Sequence, residues 1–380
     1  MKPVKPEIMS HYDQEPEEAA LTDNKATASQ WKLMAAKFRR HKLAMIGLMI
    51  LLMLYLAAAL AGMLSPYAPD SRQTAYTYAP PQPVRIWDGE SLRRPFVYPL
   101  MAQRDDISLE KIYPEDRSNP QPLRFGVRGD RYHFLGMVET DWHLFGVDEG
   151  TVFLLGTDQL GRDLFTRLIH GARISLTIGL IGVALSFVLG LIIGAISGYY
   201  GGWIDNAIQR LIEVIQSFPT IPLWMALSAA LPRTWSPIQI YLGITIVLSL
   251  VGWTGLARQV RGKLLALREE DYATAARLAG ASEPRIIFRH LLPAFASHIV
   301  VTLTLMVPGM ILGETALSFL GLGLQPPATS WGVLLQDAQN VQALTLYPWL
   351  MAPVFMVIIT VLAFNFVGDG LRDAADPYTR

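Results

Sequence analysis

The chain has 380 residues, of which 51% are hydrophobic and 17% are charged, and its formal net charge is zero. A soluble domain normally carries about 25% charged residues, and here the apolar surplus falls into long blocks, which is typical of a membrane protein. Zero net charge gives no bulk attraction to nucleic acid, and the absence of cysteine excludes disulfides, thiolate catalysis and Cys-ligated metal sites.

The N-terminal part of the chain predicts a cytoplasmic tail followed by a first membrane span. Residues 1–30 are polar and acidic, which predicts a disordered tail. The basic residues of 31–42 precede an apolar run at 43–64, whose length suits a membrane helix of about 20 residues. A cleaved signal peptide is the alternative, but this apolar run exceeds the usual core of about 7–15 residues. We therefore expect a tail at 1–42 and a span at 43–64.

Residues 65–155 differ in kind from the blocks around them. They are rich in proline, aromatic and charged residues. Such a segment cannot lie in hydrocarbon, because its charges and unpaired backbone groups would be too costly there. We expect a small extramembrane insertion, with short strands at 124–127 and 132–135 joined by a turn at Gly129-Asp130.

Five further apolar blocks follow, at roughly 174–197, 208–231, 238–257, 294–320 and 346–368. Pro219 and Pro222 interrupt the third span, and the fifth span contains Pro308. Helix breakers are tolerated in membrane helices where neighbours or cavity water satisfy the freed backbone groups. The chain therefore predicts an all-α integral membrane protein with six transmembrane helices and no internal repeat.

Orientation follows from the distribution of basic residues, which favour cytoplasmic loops. The basic cluster before the first span places the N-terminus in the cytoplasm. The loop 258–293 carries seven Lys and Arg residues and falls on the same side by alternation. We expect both termini in the cytoplasm, the tail 372–380 included, and the insertion 65–155 outside.

The loop 258–293 has the local signals of two short helices. The acids that precede Tyr272 suit a helix N-terminus, and Gly280 suits the end of that helix. Ser282 then caps a second helix, with Pro284 in its first turn. Small residues between these points allow a partner to approach closely. On charge alone, an ordinary positive-inside loop is the competing interpretation.

The spacing of this loop resembles the "EAA" loop of binding-protein-dependent ABC permeases. The match consists of Thr274-Ala275-Ala276, three residues, Gly280, nine residues, and His290-Leu291-Leu292-Pro293. In that family the loop forms a coupling helix that docks in a cleft of the ATPase subunit. This chain departs from the pattern with Thr274 in place of Glu and His290 where many members have Ile. Without this Glu the sequence gives no reason to expect a salt bridge at that point, but the expected helix–Gly–helix shape is unchanged.

Other motifs resemble the oligopeptide, dipeptide and nickel permeases of the same family, and their C-type subunit in particular. They lie at 156–158, 161–163 and 171–176, at 317–323, 326–327 and 330–332, and at 368–373 and 376–377. The resemblance implies a type I ABC importer permease fold, with a five-helix core at 156–371 and an extended periplasmic insertion between the first and second spans.

The resemblance also implies roles for individual residues. Those expected to couple to the ATPase are Glu270, Asp271, Tyr272, Thr274, Ala275, Ala276, Leu278, Gly280, Ala281, Ser282, His290 and Pro293. Those with a possible place on the translocation path are Glu314, Pro308 and Pro219. Those expected to support the structure as family motifs are Asp158, Arg162, Asp163, Trp331 and Asp369.

Ionisable and aromatic residues near the spans carry further expectations. Glu213 is placed to form an i, i+3 ion pair with Arg210. Glu314, within a span, faces the cavity or a partner subunit, or else has a packing role. The charged residues at 158–163 are expected to fix the loop before the second span rather than to contact substrate. Trp331 and Trp349 are expected in the belt of aromatic residues at the membrane interface.

The chain shows no motif for chemistry of its own. It has no G-x-x-x-x-G-K-[ST] loop, no H-E-x-x-H and no G-x-S-x-G. The seven His residues lack metal-ligand spacing, and His290 and His298 are too far apart on a helix to share a metal readily. We therefore expect no enzyme activity, no cofactor and no metal site, and ATP hydrolysis in partner subunits.

The combined expectation is a permease subunit of a bacterial inner-membrane importer. Its expected partners are a second homologous permease, two ABC ATPase subunits, a periplasmic solute-binding protein and the lipid bilayer, with no nucleic acid. Peptides fit the subfamily best, while nickel, opines and oligosaccharides stay open. The alternatives are a secondary transporter or channel, which predicts repeated halves with paired broken helices, and a membrane-anchored scaffold built on 65–155.

Overall fold

The computed structural model describes residues 30–376 except 108–110, 135, 149, 233 and 340. The predicted disordered tail therefore lies outside the described residues, apart from its last residue. The last four residues of the predicted C-terminal tail, 377–380, also lie outside them.

Helices form the frame of the molecule. They run Gln30–Arg40 (α1), Lys42–Ala59 (α2), Ala61–Leu64 (α3), Leu164–Tyr200 (α4), Gly202–Ser217 (α5), Thr220–Ala229 (α6), Pro237–Leu267 (α7), Asp271–Leu278 (α8), Glu283–Arg285 (α9), Leu292–Ala294 (α10), Ala296–Phe319 (α11), Trp331–Asp337 (α12), Val341–Leu346 (α13) and Ala352–Ala375 (α14). A π-helical stretch at Ile286–Leu291, named the π segment below, joins α9 to α10. Single 3₁₀ turns lie at Thr74–Tyr76 and Pro348–Met351.

Among the described residues, five helical segments are long and apolar enough to cross a membrane, namely α2, α4, α7, α11 and Pro348–Ala375. The pair α5 and α6 gives a sixth if it is counted as one span, although the two helices meet at 87°. This agrees with the six predicted spans. The second span begins ten residues earlier than predicted, because Asp163 caps α4 by accepting a hydrogen bond from Thr166 N (2.8 Å).

The longest helix, α4, packs along α7 through small residues. Gly190, Gly194 and Gly198 lie one turn apart on the same face of α4. A methyl group on Gly194 would come within 2.6 Å of the Ala257 carbonyl oxygen, and one on Gly198 within 2.8 Å of the Arg261 carbonyl oxygen. Absence of side chains at these positions therefore allows the two backbones to approach closely, as in other membrane helix pairs.

The segment before α4 is an ordered β-rich insertion rather than a loop. Its strands run Arg85–Trp87 (β1), Leu92–Val97 (β2), Gln103–Arg104 (β3), Lys111–Ile112 (β4), Gln121–Pro122 (β5), Arg124–Phe134 (β6) and Val138–Gly146 (β7). They form a three-stranded sheet in the order β1-β2-β5, the pair β3-β4 and the hairpin β6-β7, all antiparallel. A small core of Ala79, Leu100 and Phe153 lies within the insertion.

The predicted turn at Gly129-Asp130 is wrong. Both residues lie inside the continuous strand β6, at an irregularity in its pairing with β7. The chain reverses instead at Gly136, which adopts the left-handed conformation (φ 77°) that favours glycine in a tight turn. The carboxylate of Asp130 accepts a hydrogen bond from Ala68 N (2.8 Å), which links β6 to the segment after α3. The predicted end of the second strand, Leu135, lies outside the described residues.

The hairpin β6-β7 is held against the end of the first span. The two ring nitrogens of the buried His143 lie 3.0 Å from the Gly62 carbonyl oxygen and 2.8 Å from that of Asp130. Gly62 is in close contact with the Tyr132 ring, where a methyl group would not fit. The insertion therefore packs on α3 instead of hanging from flexible linkers.

Candidate functional site

The predicted coupling helix is present as α8. Asp271 lies in its first turn, and Glu270 occupies the N-cap position without a side-chain cap. Gly280 ends the element in the left-handed conformation (φ 77°), and Ala281 N donates to the Ala276 carbonyl oxygen (3.1 Å). The chain then starts α9 at Glu283, with Ser282 in the N-cap position but without a side-chain capping bond. The helix–Gly–helix shape predicted from the spacing is confirmed.

Most of α8 is open to solvent. Ala273 alone is fully buried, and Ala276 and the following Ala281 are half-buried. The remaining predicted coupling residues of this element are exposed: Asp271, Tyr272, Thr274, Ala275, Leu278, Gly280 and Ser282. Leu278 is 85% exposed, which is unusual for an apolar side chain at the end of a short helix.

A cluster of apolar side chains connects α8 to the spans. Ala273 packs with Ile286, Ile287 and Leu291 of the π segment, in a cluster that continues to Phe295 before α11. His290 lies half-buried within the π segment, and Pro293 lies exposed in α10. The sequence did not predict the π segment, a rare conformation that joins α9 to α10.

Hydrogen bonds tie the same region to α4 and α5. Tyr200 Oη donates to Glu283 Oε2 (2.7 Å), and Arg268 Nη1 donates to the Tyr199 carbonyl oxygen (3.0 Å). Arg261 donates from Nε and Nη2 to the carboxylate of Asp205, a two-point ion pair between α7 and α5. These bonds link α9 and the end of α7 to α4, and they link α7 to α5.

The predicted charged motif before the second span forms a buried cluster at the opposite end of α4. Arg162 Nε donates to Asp158 Oδ2 (2.7 Å). Arg167 Nη1 donates to Asp337 Oδ2 (2.9 Å) and also contacts the Asp158 carboxylate. Two cations and two carboxylates thus neutralise each other away from water, as buried charges require.

Two members of this cluster, Arg167 and Asp337, were not predicted from the sequence. Arg167 is 1% exposed, which is unusual for a charged residue. It is the only Lys or Arg residue in the first two turns of α4. Its Nε and Nη2 have no hydrogen-bond partner among the described residues. A lone Arg one turn after an N-cap was the available signal. Nothing in the sequence around Asp337 marks it as the partner, 170 positions away.

Asp163 is also buried, and it plays a separate part. Its Oδ2 accepts hydrogen bonds from Thr166 N (2.8 Å) and Thr166 Oγ1 (2.6 Å). Burial raises the pKa of this carboxyl to about 7, against the lowering effect of the hydrogen bonds from Thr166. Asp163 therefore shapes the start of α4, together with the cluster of Asp158 and Arg162, and all three side chains are buried.

Glu314 is fully buried inside the helix bundle. It accepts hydrogen bonds from Ser175 Oγ (3.1 Å) and Ser318 Oγ (2.8 Å). Ser175 Oγ in turn accepts one from Trp331 N (3.1 Å). Glu314 thus joins α4, α11 and α12, which fits the packing alternative and not a side chain facing a cavity.

The interfacial position predicted for Trp331 is wrong. Its side chain is fully buried, and its indole N–H donates to the Leu168 carbonyl oxygen (3.1 Å). It is buried because α12 packs back onto α4, where Gly171 leaves room for the ring. Trp349 is half-buried and donates from Nε1 to the Thr157 carbonyl oxygen (3.1 Å), and its place in an aromatic belt stays a prediction.

The remaining predicted residues occupy distinct positions. Pro219 lies exposed at the 87° bend between α5 and α6, where it begins the second helix. Pro308 is buried inside α11, which continues through it. Asp369 is exposed near the end of α14. The predicted ion pair of Arg210 with Glu213 is confirmed, at 2.7 Å on the surface of α5.

Comparisons with known proteins identify the class of membrane protein. Residues 190–380 match the family described as "binding-protein-dependent transport system inner membrane component", and residues 29–81 match the "N-terminal TM domain of oligopeptide transport permease C". The oligopeptide transport system permease protein OppC of Bacillus subtilis is 33% identical over 358 residues, covering 94% of this chain and 92% of that protein.

Two further relatives match over shorter stretches. The OppC protein of Haemophilus influenzae is 42% identical over 246 residues, covering 64% of this chain and 76% of its own length. The dipeptide transport system permease protein DppC of Bacillus subtilis is 42% identical over 226 residues, covering 59% and 68%. A solved structure of the MetNI methionine ABC transporter in an inward-facing conformation is 19% identical, covers 55% of this chain and 95% of its own, and gives a TM-score of 0.42. At that TM-score the likeness decides nothing further.

Three observations agree with one another. The family match covers half of the chain, the B. subtilis relative aligns along nearly all of it, and the helices give up to six candidate spans. They favour a permease over a secondary transporter or a single-span scaffold. The chain therefore belongs to the family of binding-protein-dependent transport system inner membrane components, the membrane-spanning permease subunits of ABC importers.

Proposed function

We propose that this chain is one of two permease subunits of a peptide importer and works by alternating access driven by separate ATPase subunits. The observation that carries this proposal is α8, which exposes a small apolar surface while its buried side is continuous with the spans. Such an element has a face for a partner and a rigid connection to the pore-forming helices.

The contacts of α8 give the coupling a physical route. Closure of two ATPase subunits would move α8 toward or away from the membrane. Ala273 and the π segment pass that movement to α11, and Tyr200 and Arg268 pass it to the end of α4. Because these helices are closely packed, they respond as rigid bodies rather than by local bending.

The partners follow from the same assignment. A second, homologous permease would complete the pore, two ATPase subunits would bind at α8 and its counterpart, and a solute-binding protein would deliver cargo. The chain has no phosphate-binding loop of its own, so ATP hydrolysis belongs to the partner subunits. Peptides are the proposed cargo because the relatives over most of the chain are named as oligopeptide and dipeptide permeases.

Co-purification tests the assembly. The tagged chain would be isolated in mild detergent, its partners identified by mass spectrometry, and ATPase activity measured with and without a peptide-loaded binding protein. We expect a second permease and two ATPase chains, with stimulated activity lost in Gly280→Val or Ala276→Leu. Recovery of the chain alone, with peptide uptake driven by an ion gradient, would contradict the proposal.

The absence of cysteine makes orientation directly measurable, since a single introduced thiol is the only one to label. Met137, at the tip of the β6-β7 hairpin, is 80% exposed, and Leu278 is 85% exposed at the opposite end. We expect Met137→Cys to react with a membrane-impermeant maleimide in spheroplasts, and Leu278→Cys to react only after permeabilisation. The reverse pattern would overturn the proposed cytoplasmic position of α8 and both termini.

We further propose that the periplasmic insertion receives or guides cargo from the binding protein. Its ordered sheets and its docking on α3 support a fixed position near the pore mouth.

A deletion of most of the insertion tests this role. Arg85 and Pro122 lie on β1 and β5, two strand intervals or about 10 Å apart. Four Gly and Ser residues, reaching about 13 Å, can therefore replace residues 86–121. Peptide uptake should fall while ATPase co-purification is unchanged. Undiminished uptake would contradict this role.

A further inference from the structure

A cavity lies away from α8, between the ends of three spans. It has a volume of about 610 Å³ and is formed by α7, α11 and α14 together with the turn before α11. Three basic side chains line it, one from each helix: Lys263, His298 and Arg372. The coupling helix and the buried charge cluster contribute no side chain to it.

All three basic residues lie at span ends that are on the same side of the helix bundle. Lys263 is four residues before the end of α7, His298 is the third residue of α11, and Arg372 is three residues before the end of α14. The last turns of a membrane helix lie at the level of the lipid headgroups, where Lys and Arg side chains meet lipid phosphates. The position of these three residues therefore suits a site at the level of the lipid headgroups.

The cavity carries a net positive charge. Within the described part of the chain, no ion pair involves Lys263, His298 or Arg372. One acid, Asp376, lines the same cavity, and its backbone carbonyl accepts a hydrogen bond from Lys37 Nζ (3.0 Å). The two fixed cations thus exceed the single carboxylate, and His298 adds charge when it is protonated.

One wall of the cavity is apolar and continues along α11. Phe295, Val301 and Leu305 line it, and Leu305 is partly exposed farther into the span. Thr302 Oγ1 donates to Gln259 Oε1 (2.8 Å) between the basic rim and this wall. A soluble anion would use only the basic rim, whereas a phospholipid would use both parts.

We propose that this cavity binds the phosphate of an anionic phospholipid, with Lys263 and Arg372 as its principal cationic contacts and an acyl chain along the apolar wall of α11. The bound lipid would link the ends of α7, α11 and α14. No residue of α8 lines this cavity, although the two regions share Phe295, which also belongs to the apolar cluster under α8.

Lipid binding to the delipidated complex in detergent tests the proposal. The probes are short-chain phosphatidylglycerol and phosphatidylcholine with the same fluorescent label, and unlabelled inorganic phosphate as competitor. We expect the anionic lipid to bind more tightly. Its affinity should fall about fivefold for each cation removed, or about 25-fold in the double variant Lys263→Gln/Arg372→Gln. The charge-conserving Lys263→Arg/Arg372→Lys should keep most of the affinity.

The matched control is Lys42→Gln/Arg258→Gln, which removes two exposed cations that do not line the cavity. It should leave affinity within about twofold. Equal binding of the two lipids, or an equal loss in this control, would overturn the proposal. Displacement of the lipid by inorganic phosphate at a similar concentration would also overturn it, because the site would then serve a soluble anion and not a lipid.

Discussion

The two ends of α4 are built in opposite ways. At its start, Arg162 and Arg167 are buried against Asp158 and Asp337, so that charge is locked away from water. Near its other end, α8 is held through the buried Ala273 and the half-buried Ala276, and it exposes apolar side chains. The first arrangement is costly to disturb, whereas the second leaves a surface free for a partner.

This difference separates residues that maintain the fold from residues that serve binding. Removing one charge from a buried pair leaves its partner uncompensated. Removing an exposed side chain from α8 changes little within the chain and much at an interface. Four substitutions test this contrast, in order of decreasing expected effect on stability.

Arg167→Met is expected to cause the largest loss of stability. It leaves Asp158 and Asp337 buried with Arg162 as their remaining cation, and breaking such a buried pair costs about 3–5 kcal/mol. Thermal unfolding in detergent measures the loss. The control is Arg210→Met, which breaks the exposed pair with Glu213 and should cost about 1 kcal/mol or less. Equal effects of the two variants would show that burial does not govern the cluster.

Ala273→Leu is expected to cost about 1–3 kcal/mol, because Ala273 is fully enclosed by apolar side chains of the π segment and has no room for a larger one. Ala275→Leu, two residues away on the exposed side, should leave the unfolding midpoint unchanged. Proteolysis of the loop in detergent reports the local loosening. An unchanged cleavage rate in Ala273→Leu would show that the alanine does not anchor α8.

Gly280→Ala is expected to cost about 1–2 kcal/mol, since the left-handed conformation at this position is unfavourable for any residue with a Cβ. No atom lies within 4 Å of the added methyl group, so the effect is conformational and not steric. Gly262→Ala in α7 is the control, because it also has open space but ordinary helical geometry, and it should be neutral or stabilising. Circular dichroism during thermal unfolding compares them.

Leu278→Asp is expected to change the free energy of unfolding by no more than about 0.5 kcal/mol, because the side chain is exposed. It should nevertheless abolish recovery of the ATPase subunits, since a charge at the centre of an apolar contact is poorly tolerated. Leu92→Asp in the insertion, 75% exposed, should affect neither property. Normal ATPase recovery with Leu278→Asp would remove α8 from the proposed interface.

Local features were predicted well from the sequence. The six apolar blocks, the bend after Ser217, the ion pair of Arg210 with Glu213 and the helix ended by Gly280 all depend on residues within a few positions of one another. Hydropathy, proline and glycine chemistry and helix spacing act over that range. Even there, boundaries shifted: α4 begins at Leu164 because a side-chain cap adds turns beyond the apolar block.

What the sequence by itself determined is the class of protein, the number of candidate spans and the position of the helix–glycine–helix loop that contains α8. Only the tertiary structure decided that Trp331 is buried, that β6 runs through Gly129, and that Arg167 meets Asp337. It alone brought Lys263, His298 and Arg372 around one cavity. The physical reason is range: spans and caps are fixed by neighbouring residues, whereas burial and ion pairing depend on which distant helices pack together.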